Sequence, residues 1–297
     1  MRKLVFGCGY LGYRVATRWK QEGHDVAIVT RNPAKATQLR QEGFQTLIAD
    51  ILDRRSLEPL PPAETVLFAV GYDRKAGVAP QPSIQSVYAD GLRNVTEAID
   101  PAVTTKFVYI SSTGVYGTGK GDEIDEASPC HPNREGGKAC LAAENVLTSS
   151  PVAGQAIILR LAGIYGPDRI PRAADLQSGK PVDVDPDSWL NLIHVDDAAT
   201  IVLAADAKVR PPFLCVVSDG VPVRRGDYYA ELAQLLGAPA PTFVSPSSAI
   251  DSGVRGRTGG DKRIRPDRLF RELSPVITYG DFRAGLASIV RKTTDSP

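Results

Sequence analysis

Lys3-Leu4-Val5-Phe6-Gly7-Cys8-Gly9-Tyr10-Leu11-Gly12 is a short, mostly apolar run followed by the pattern G-x-G-x-x-G. The run suits a buried strand, and each glycine after it has a physical task. Gly7 permits a tight turn off the strand. Gly9, with no Cβ, lets a pyrophosphate approach the backbone. Gly12 lets the next helix pack close to a sheet. That helix, expected over about Tyr10–Glu22, aims its N–H groups and the positive end of its dipole at the phosphates. A second strand, Asp25–Thr30, follows in the window this motif requires. The glycine loop, Gly7, Cys8, Gly9, Tyr10, Leu11 and Gly12, is therefore read as a dinucleotide-phosphate site.

Composition narrows the function classes. The 297 residues carry 35 Lys and Arg against 34 Asp and Glu, with no basic run, which argues against a nucleic-acid partner. No apolar run reaches membrane-spanning length, and Met1-Arg2-Lys3 leads straight into a strand rather than a signal peptide. A cytoplasmic protein with no membrane partner is expected. Cys8, Cys130, Cys140 and Cys215 lack metal spacing and read as reduced structural thiols. His24, His131 and His194 are far apart, so no metal site is expected.

Strands alternate with helical stretches, which predicts an α/β, Rossmann-type doubly wound parallel sheet. The expected division is a dinucleotide-binding domain over 1–165 and a smaller α/β substrate lobe over 166–297, with segments returning to the sheet. Thr30, Arg31 and Asn32 follow the second strand, where the cofactor's ribose is read. A carboxylate there would bind a 2′-hydroxyl, whereas an arginine neutralises a 2′-phosphate. Arg31, with Lys35 one turn on, predicts a preference for NADP(H), NAD(H) being the other cofactor this loop admits. After a helix over Pro33–Glu42 and a strand over Phe44–Ala49 come Asp50 and Ile51, read either as an adenine contact or as the cap of the turn at Asp53–Leu57. The strand Thr65–Val70 brings the small residues Ala69, Val70 and Gly71 towards the ribose. Asp73–Pro82 reads as a loop, and a helix is expected over Ser83–Ile99.

The strand from Lys106 delivers Ser111-Ser112-Thr113-Gly114-Val115-Tyr116-Gly117 at its C-terminal edge, where ligands sit in a parallel sheet. Later come Ile157–Leu161, then Ala162-Gly163-Ile164-Tyr165-Gly166-Pro167, then Leu192-Ile193-His194-Val195-Asp196-Asp197-Ala198. In this order, and over nearly the whole chain, these motifs resemble the extended short-chain dehydrogenase/reductases, the superfamily of sugar-nucleotide epimerases and dehydratases. The resemblance implies that Ser112, the hydroxyl four residues before the tyrosine of V-Y-G, polarises the reacting oxygen. It also implies a tyrosine with a lysine four residues on, the lysine lowering the tyrosine's pKa.

Here the sequence departs from the family. Aligned on Glu144, the lysine slot is Cys140 and the tyrosine slot Gly136; aligned on Lys138, the tyrosine slot is Arg134. The chain is thus similar to an atypical subgroup without the Tyr/Lys pair. Substitute proton carriers are Tyr116, Tyr165, Tyr72, Lys138 and Cys140, with Ser112, Thr113 and Tyr165 the catalytic candidates. The dehydratases' Asp-Glu pair is replaced by Thr113-Gly114, which argues against water elimination.

Further along, Asn191 is a candidate substrate contact, Arg169 and Arg172 read as exposed charges, and Asp196 and Asp197 suit the first turn of a helix. Ser252–Lys262 reads as a mobile loop, and Lys262-Arg263-Ile264-Arg265 as a solvated run rather than a phosphate site. The sequence predicts an NADP(H)-binding oxidoreductase or epimerase-like enzyme. Its substrate would be a small hydroxyl or carbonyl compound, nucleotide-sugar-like compounds among those the resemblance admits, and a homodimer is compatible. The competing reading is a non-catalytic dinucleotide-binding sensor.

Overall fold

A computed structural model describes residues 1–72, 81–117, 119–244 and 260–294. The first half alternates strand and helix: β1 (Arg2–Phe6), α1 (Gly12–Gln21), β2 (Asp25–Thr30), α2 (Pro33–Gln41), β3 (Gln45–Ile48), β4 (Thr65–Phe68), α3 (Gly91–Ala98) and β5 (Lys106–Ser112). There follow β6 (Lys120–Ile124), α4 (Glu135–Thr148), β7 (Ala156–Leu161), β8 (Gly163–Tyr165), α5 (Ala173–Gln177), β9 (Val182–Asp183), β10 (Trp189–Leu190), β11 (Leu192–His194) and α6 (Val195–Lys208). The chain closes with β12 (Phe213–Val217), β13 (Val223–Arg224), α7 (Arg225–Leu235), β14 (Phe243–Val244), β15 (Asp261–Ile264), α8 (Asp267–Leu273) and α9 (Phe282–Thr294).

Seven strands form one parallel sheet in the order β12-β7-β5-β4-β1-β2-β3. Its strands are apolar on both faces because both faces are covered. Side chains alternate across a strand. Val5, Ile28, Leu67, Val108 and Ile157 accordingly join α1 and α6 on one side. Leu4, Phe6, Val29, Val66, Phe68 and Phe107 meet Leu92 and Val95 of α3 and Leu147 of α4 on the other. At the base of the sheet the buried Lys3 ammonium reaches Asp206 at 2.6 Å and Thr65 at 3.0 Å, tying β1 and β4 to α6.

A third core gathers Tyr165, Leu176, Val182, Leu192, Tyr228, Leu232, Phe282 and Leu286 from the later segments. Short strand pairs support it: β8 with β11, β9 with β14, and β10 with β13. β15 pairs with β6, bringing Lys262 opposite Asp122 just beyond the end of β5. The helix expected over Ser83–Ile99 runs continuously from residue 84, but Ser86–Asp90 is wound as a π-turn ahead of α3. The expected loops at Asp73–Pro82 and Ser252–Lys262 fall largely outside the described residues. Among the described residues no helix is long and apolar enough to cross a membrane, and no His, Cys, Asp and Glu cluster has the makings of a metal site.

Candidate functional site: a dinucleotide crevice and the β5 edge

Strand order reverses between β1 and β4, which makes the crevice above their C-terminal ends the ligand position of this topology. The glycine loop lines it. Gly7 has φ +86°, and a Cβ there would stand 2.4 Å from the backbone of Ala69 and Val70. A Cβ on Gly12 would stand 2.2 Å from the Gly7 carbonyl oxygen, whereas one on Gly9 would meet nothing within 4 Å. The protein's own packing therefore requires two of the glycines, and the third faces open space. No side chain caps α1 and no acidic residue occupies its first turn, so its dipole remains available to an anion. The loop fits a dinucleotide phosphate on these grounds.

The other loop residues divide by direction. Cys8 and Leu11 turn their side chains into the core and offer only backbone to the crevice. Burial pushes the Cys8 thiol up to about 11, so it stays protonated. The Tyr10 hydroxyl donates to the Pro167 carbonyl at 2.8 Å, and Arg14 and Arg169 lie 4.5 and 5.5 Å from its ring, joining the loop to the start of the later core. Arg169 is exposed, as expected, with its guanidinium also set over the Tyr10 ring. Arg172 pairs with Asp175 at 3.0 Å.

Around the ribose position, Arg31 is exposed at the end of β2 and makes no ion pair among the described residues. Asn32 caps α2, its side chain accepting from Ala34 and Lys35 N–H, and the Thr30 hydroxyl oxygen accepts from Asn32 N–H at 3.2 Å. The Lys35 ammonium donates to the Cys8 carbonyl, bracing the glycine loop from the α2 side. Asp50 does not cap the turn at Arg54–Leu57. Asp53 does, while the Asp50 carboxylate accepts from Leu52 N–H at 2.9 Å. Ile51 lies against Gly91 at the start of α3. Ala69 and Val70 present backbone to Gly7, and Gly71 is exposed with nothing near its Cβ position.

At the end of β5, Ser112 is partly exposed and its Oγ accepts from Gly114 N–H at 3.0 Å, which starts a tight turn. Thr113 is buried in that turn. Helix α4 rests directly on it, since a Cβ at Gly137 would stand 2.3 Å from the Gly114 carbonyl oxygen. A Cβ on Gly136, in the tyrosine slot, would find only Ile84 Cδ1 at 3.9 Å, so the slot is roomy. Cys140, in the lysine slot, is buried and hydrogen-bonded to Tyr109, and burial raises its thiol to about 11. Lys138 is exposed and pairs with Glu135 at 3.0 Å.

Tyr116 belongs to a buried network. Its hydroxyl accepts from Arg160 Nη1 at 2.7 Å, and Arg160 grips Glu144 through Nε at 3.0 Å and Nη2 at 2.6 Å. Ser111 donates to the same carboxylate at 2.5 Å. Burial outweighs Arg160 and raises the Tyr116 phenol to about 12, which leaves it a structural donor-acceptor. The Tyr72 hydroxyl donates to the Pro82 carbonyl at 3.1 Å.

Three sequence expectations are corrected here. Tyr165 is not at the reaction edge: it has no exposed surface, its ring stands edge-on to His194, and its hydroxyl points at Asp281 and Gly285 beside α9. Burial raises its pKa far above the phenol range, which fits packing rather than proton transfer. Asn191 is spent on β15, donating to the Lys262 carbonyl at 2.7 Å and accepting from Ile264 N–H at 2.8 Å. Lys262-Arg263-Ile264-Arg265 is no solvated run, because Lys262 and Ile264 of this strand are buried. Asp197 does sit in the first turn of α6 but also accepts from Thr278 and Tyr279 N–H, fastening the segment ahead of α9.

Comparison with known proteins agrees with this geometry. The chain is 26% identical over 294 residues to Protein YeeZ of Escherichia coli K12, spanning 95% of this chain and 97% of that one. A solved putative NAD-dependent epimerase/dehydratase from Methylobacillus flagellatus superposes with a TM-score of 0.76 at 27% identity, covering 99% of both chains. The fold is shared with the UDP-glucose 4-epimerase of Thermus thermophilus, solved in complex with NAD, at a TM-score of 0.75, 19% identity and full coverage of both. The sequence pattern of the NAD dependent epimerase/dehydratase family matches residues 4–212, from the first glycine-loop strand to the end of α6 and just beyond. Loop, sheet order and hydroxyl-bearing β5 edge thus converge with the sequence match, and the chain belongs to the NAD dependent epimerase/dehydratase family.

Proposed function

We propose that the protein is an NADP(H)-dependent oxidoreductase or epimerase-like enzyme acting on a small hydroxyl or carbonyl substrate. The observation that carries this reading is the glycine loop at the switch point, closed around Gly7 and Gly12 and open over Gly9. Gly9, the N-terminus of α1 and Arg31 would hold the dinucleotide, Arg31 supplying the positive charge that a 2′-phosphate requires. When bound, the nicotinamide supplies hydride acceptance and donation.

The chain's own contribution at the reacting centre is Ser112. Its Oγ lone pair is held by Gly114 N–H, which leaves the hydroxyl proton to be donated to a substrate oxygen. The buried Ser111–Glu144–Arg160–Tyr116 network fixes α4 and β7 behind that edge. Turnover of a carbonyl panel with NADPH tests the reading. Loss in Ser112→Ala by about two orders of magnitude is expected for a group of this kind. Undiminished turnover in that variant removes Ser112 from the mechanism.

A second reading has its own observation. Cys140 is buried against Tyr109 and Gly136 bears no side chain, so on the alignment through Glu144 neither slot of the family's proton-transfer pair holds a proton carrier, and on the alignment through Lys138 the tyrosine slot holds Arg134. That favours a sensor that binds the dinucleotide without turnover. NADPH binding with no reaction across the panel would decide for it.

A further inference from the structure

Gly136 and Cys140 of α4 face the helix that runs from residue 84 into α3. A Cβ on Gly136 would have Ile84 Cδ1 as its nearest neighbour, at 3.9 Å. Tyr88 follows Ile84 by four residues and Cys140 follows Gly136 by four, so each lies about one turn further along its helix. Tyr88 is half-buried and packs against the apolar group that holds Val115, Tyr116 and Cys140. Gly136 and Cys140 are small, which leaves room beside α4 for this phenol. Its hydroxyl accepts from Tyr72 N–H at 3.1 Å. That sets it at the exit of β4, two residues beyond Val70, whose backbone a Cβ on Gly7 would strike. Because β4 lies between β1 and β5 in the sheet, its exit lies between the glycine loop and Ser112. Phe68 is opposite Tyr109, so Tyr72 and Ser112 leave the same end of adjacent strands, four and three residues beyond that pair. Tyr88 also sits in the π-turn over Ser86–Asp90, a winding that recurs at functional sites. Tyr72 is a poorer candidate, since its own hydroxyl donates to the Pro82 carbonyl at 3.1 Å.

We propose that Tyr88 is the catalytic proton carrier of this site, brought in by the helix that faces α4 rather than by α4 itself. The assignment rests on the oxidoreductase or epimerase-like reading and deepens it, because it supplies the acid and base missing from Gly136 and Cys140. In the reducing direction the substrate's carbonyl carbon gains the hydride, with its electron pair, that the reduced nicotinamide gives up. The C=O π pair moves onto oxygen, and that oxygen takes the Tyr88 hydroxyl proton. Solvent water then returns a proton to the phenolate. In the oxidising direction the phenolate takes the substrate's hydroxyl proton as the hydride leaves carbon. Ser112 donates a hydrogen bond to the same oxygen and keeps its proton. Tyr72 N–H, aimed at the phenol oxygen, stabilises the negative charge that appears there.

The test pairs turnover with a readout that needs none. With NADPH and a panel of small aldehydes and ketones, Tyr88→Phe is expected to lose about a hundredfold or more in kcat, with KM, NADPH affinity and melting temperature close to wild type. Tyr72→Phe retains turnover. The wild-type kcat profile carries an ionisation that Tyr88→Phe lacks, and Tyr88→fluorotyrosine moves it to lower pH because ring fluorine acidifies a phenol. Apart from turnover, the fluorine NMR resonance of Tyr88→fluorotyrosine is expected to shift when NADPH is added, whereas that of Tyr228→fluorotyrosine, in the later core, stays in place. Turnover that survives Tyr88→Phe, or a fluorine resonance at position 88 that saturating NADPH leaves unmoved, overturns the Tyr88 assignment and leaves the functional reading standing. A Tyr88→Phe protein that melts far below wild type or loses NADPH assigns Tyr88 to the fold and overturns it too. A wild type that does not bind NADPH, or that binds it and turns over none of the panel, overturns the functional reading and the Tyr88 assignment together.

Discussion

The carbonyl oxygen of Gly7 stands 2.2 Å from the point a methyl group would occupy on Gly12, so α1 rests on the loop with no room between them. Gly9, between the two, has nothing within 4 Å of the same point. The two glycines therefore answer to different needs. Gly12→Ala is expected to lower stability by about 1–3 kcal/mol through overpacking, read as a lower denaturation midpoint. Gly9→Ala is expected to melt like the wild type and to lose dinucleotide affinity by about tenfold or more, because the methyl occupies the phosphate approach. Equal melting of both variants would contradict this division.

The Glu144–Arg160 pair has side chains only 5% and 7% exposed, and it holds Ser111 and Tyr116 as well. Removing one partner leaves the other charge buried without its counterion. Glu144→Ala is expected to cost about 3–5 kcal/mol, measured by chemical denaturation. A loss well under about 1 kcal/mol would show that α4 and β7 do not depend on the pair.

Asp219, at the turn after β12, is buried, and burial raises its carboxyl from 3.8 to about 7, with the Asp281 and Asp197 charges adding to the rise. The folded chain thus holds this proton more tightly than the unfolded one between those values. Its contribution to stability falls as pH rises through that window and is fully lost above it. Asp219→Asn is expected to flatten this part of the stability profile and to be the more stable protein near pH 8. Denaturation midpoints at pH 5 and pH 8 check the sign, and parallel profiles for the two proteins would contradict it.

Arg31 is exposed at the end of β2, and the proposed NADP(H) preference rests on it. Arg31→Ala is expected to weaken NADPH by about tenfold while leaving NADH nearly unchanged, since only NADPH bears the 2′-phosphate. Equal weakening of both would assign Arg31 to general electrostatics.

The sheet was legible because its signals are local. Val26 to Val29 and Phe107 to Tyr109 are continuous apolar runs, and Asn32-Pro33 is a helix start written in adjacent residues. The glycine loop needed only the strand before it and the helix after it. The misread residues depend on distant partners. Tyr165 is packed beside α9, its hydroxyl facing Asp281 just ahead of that helix and 116 residues away, and Asn191 is claimed by Lys262 and Ile264, 71 and 73 residues on. Lys262 sits among charges in sequence, and only its pairing with β6 turns it inward. The alternation of Lys262 and Ile264 about Arg263 was the local signal for that strand, but a run with three basic residues in four masks it.

The most direct test of the central claim is a fluorescence titration of the purified protein with NADPH and with NADH, after an assay for cofactor already carried. Saturable NADPH binding, at least about tenfold tighter than NADH, is the result predicted from the open Gly9 and the exposed Arg31. Binding of neither dinucleotide, in protein shown to carry none, would contradict it.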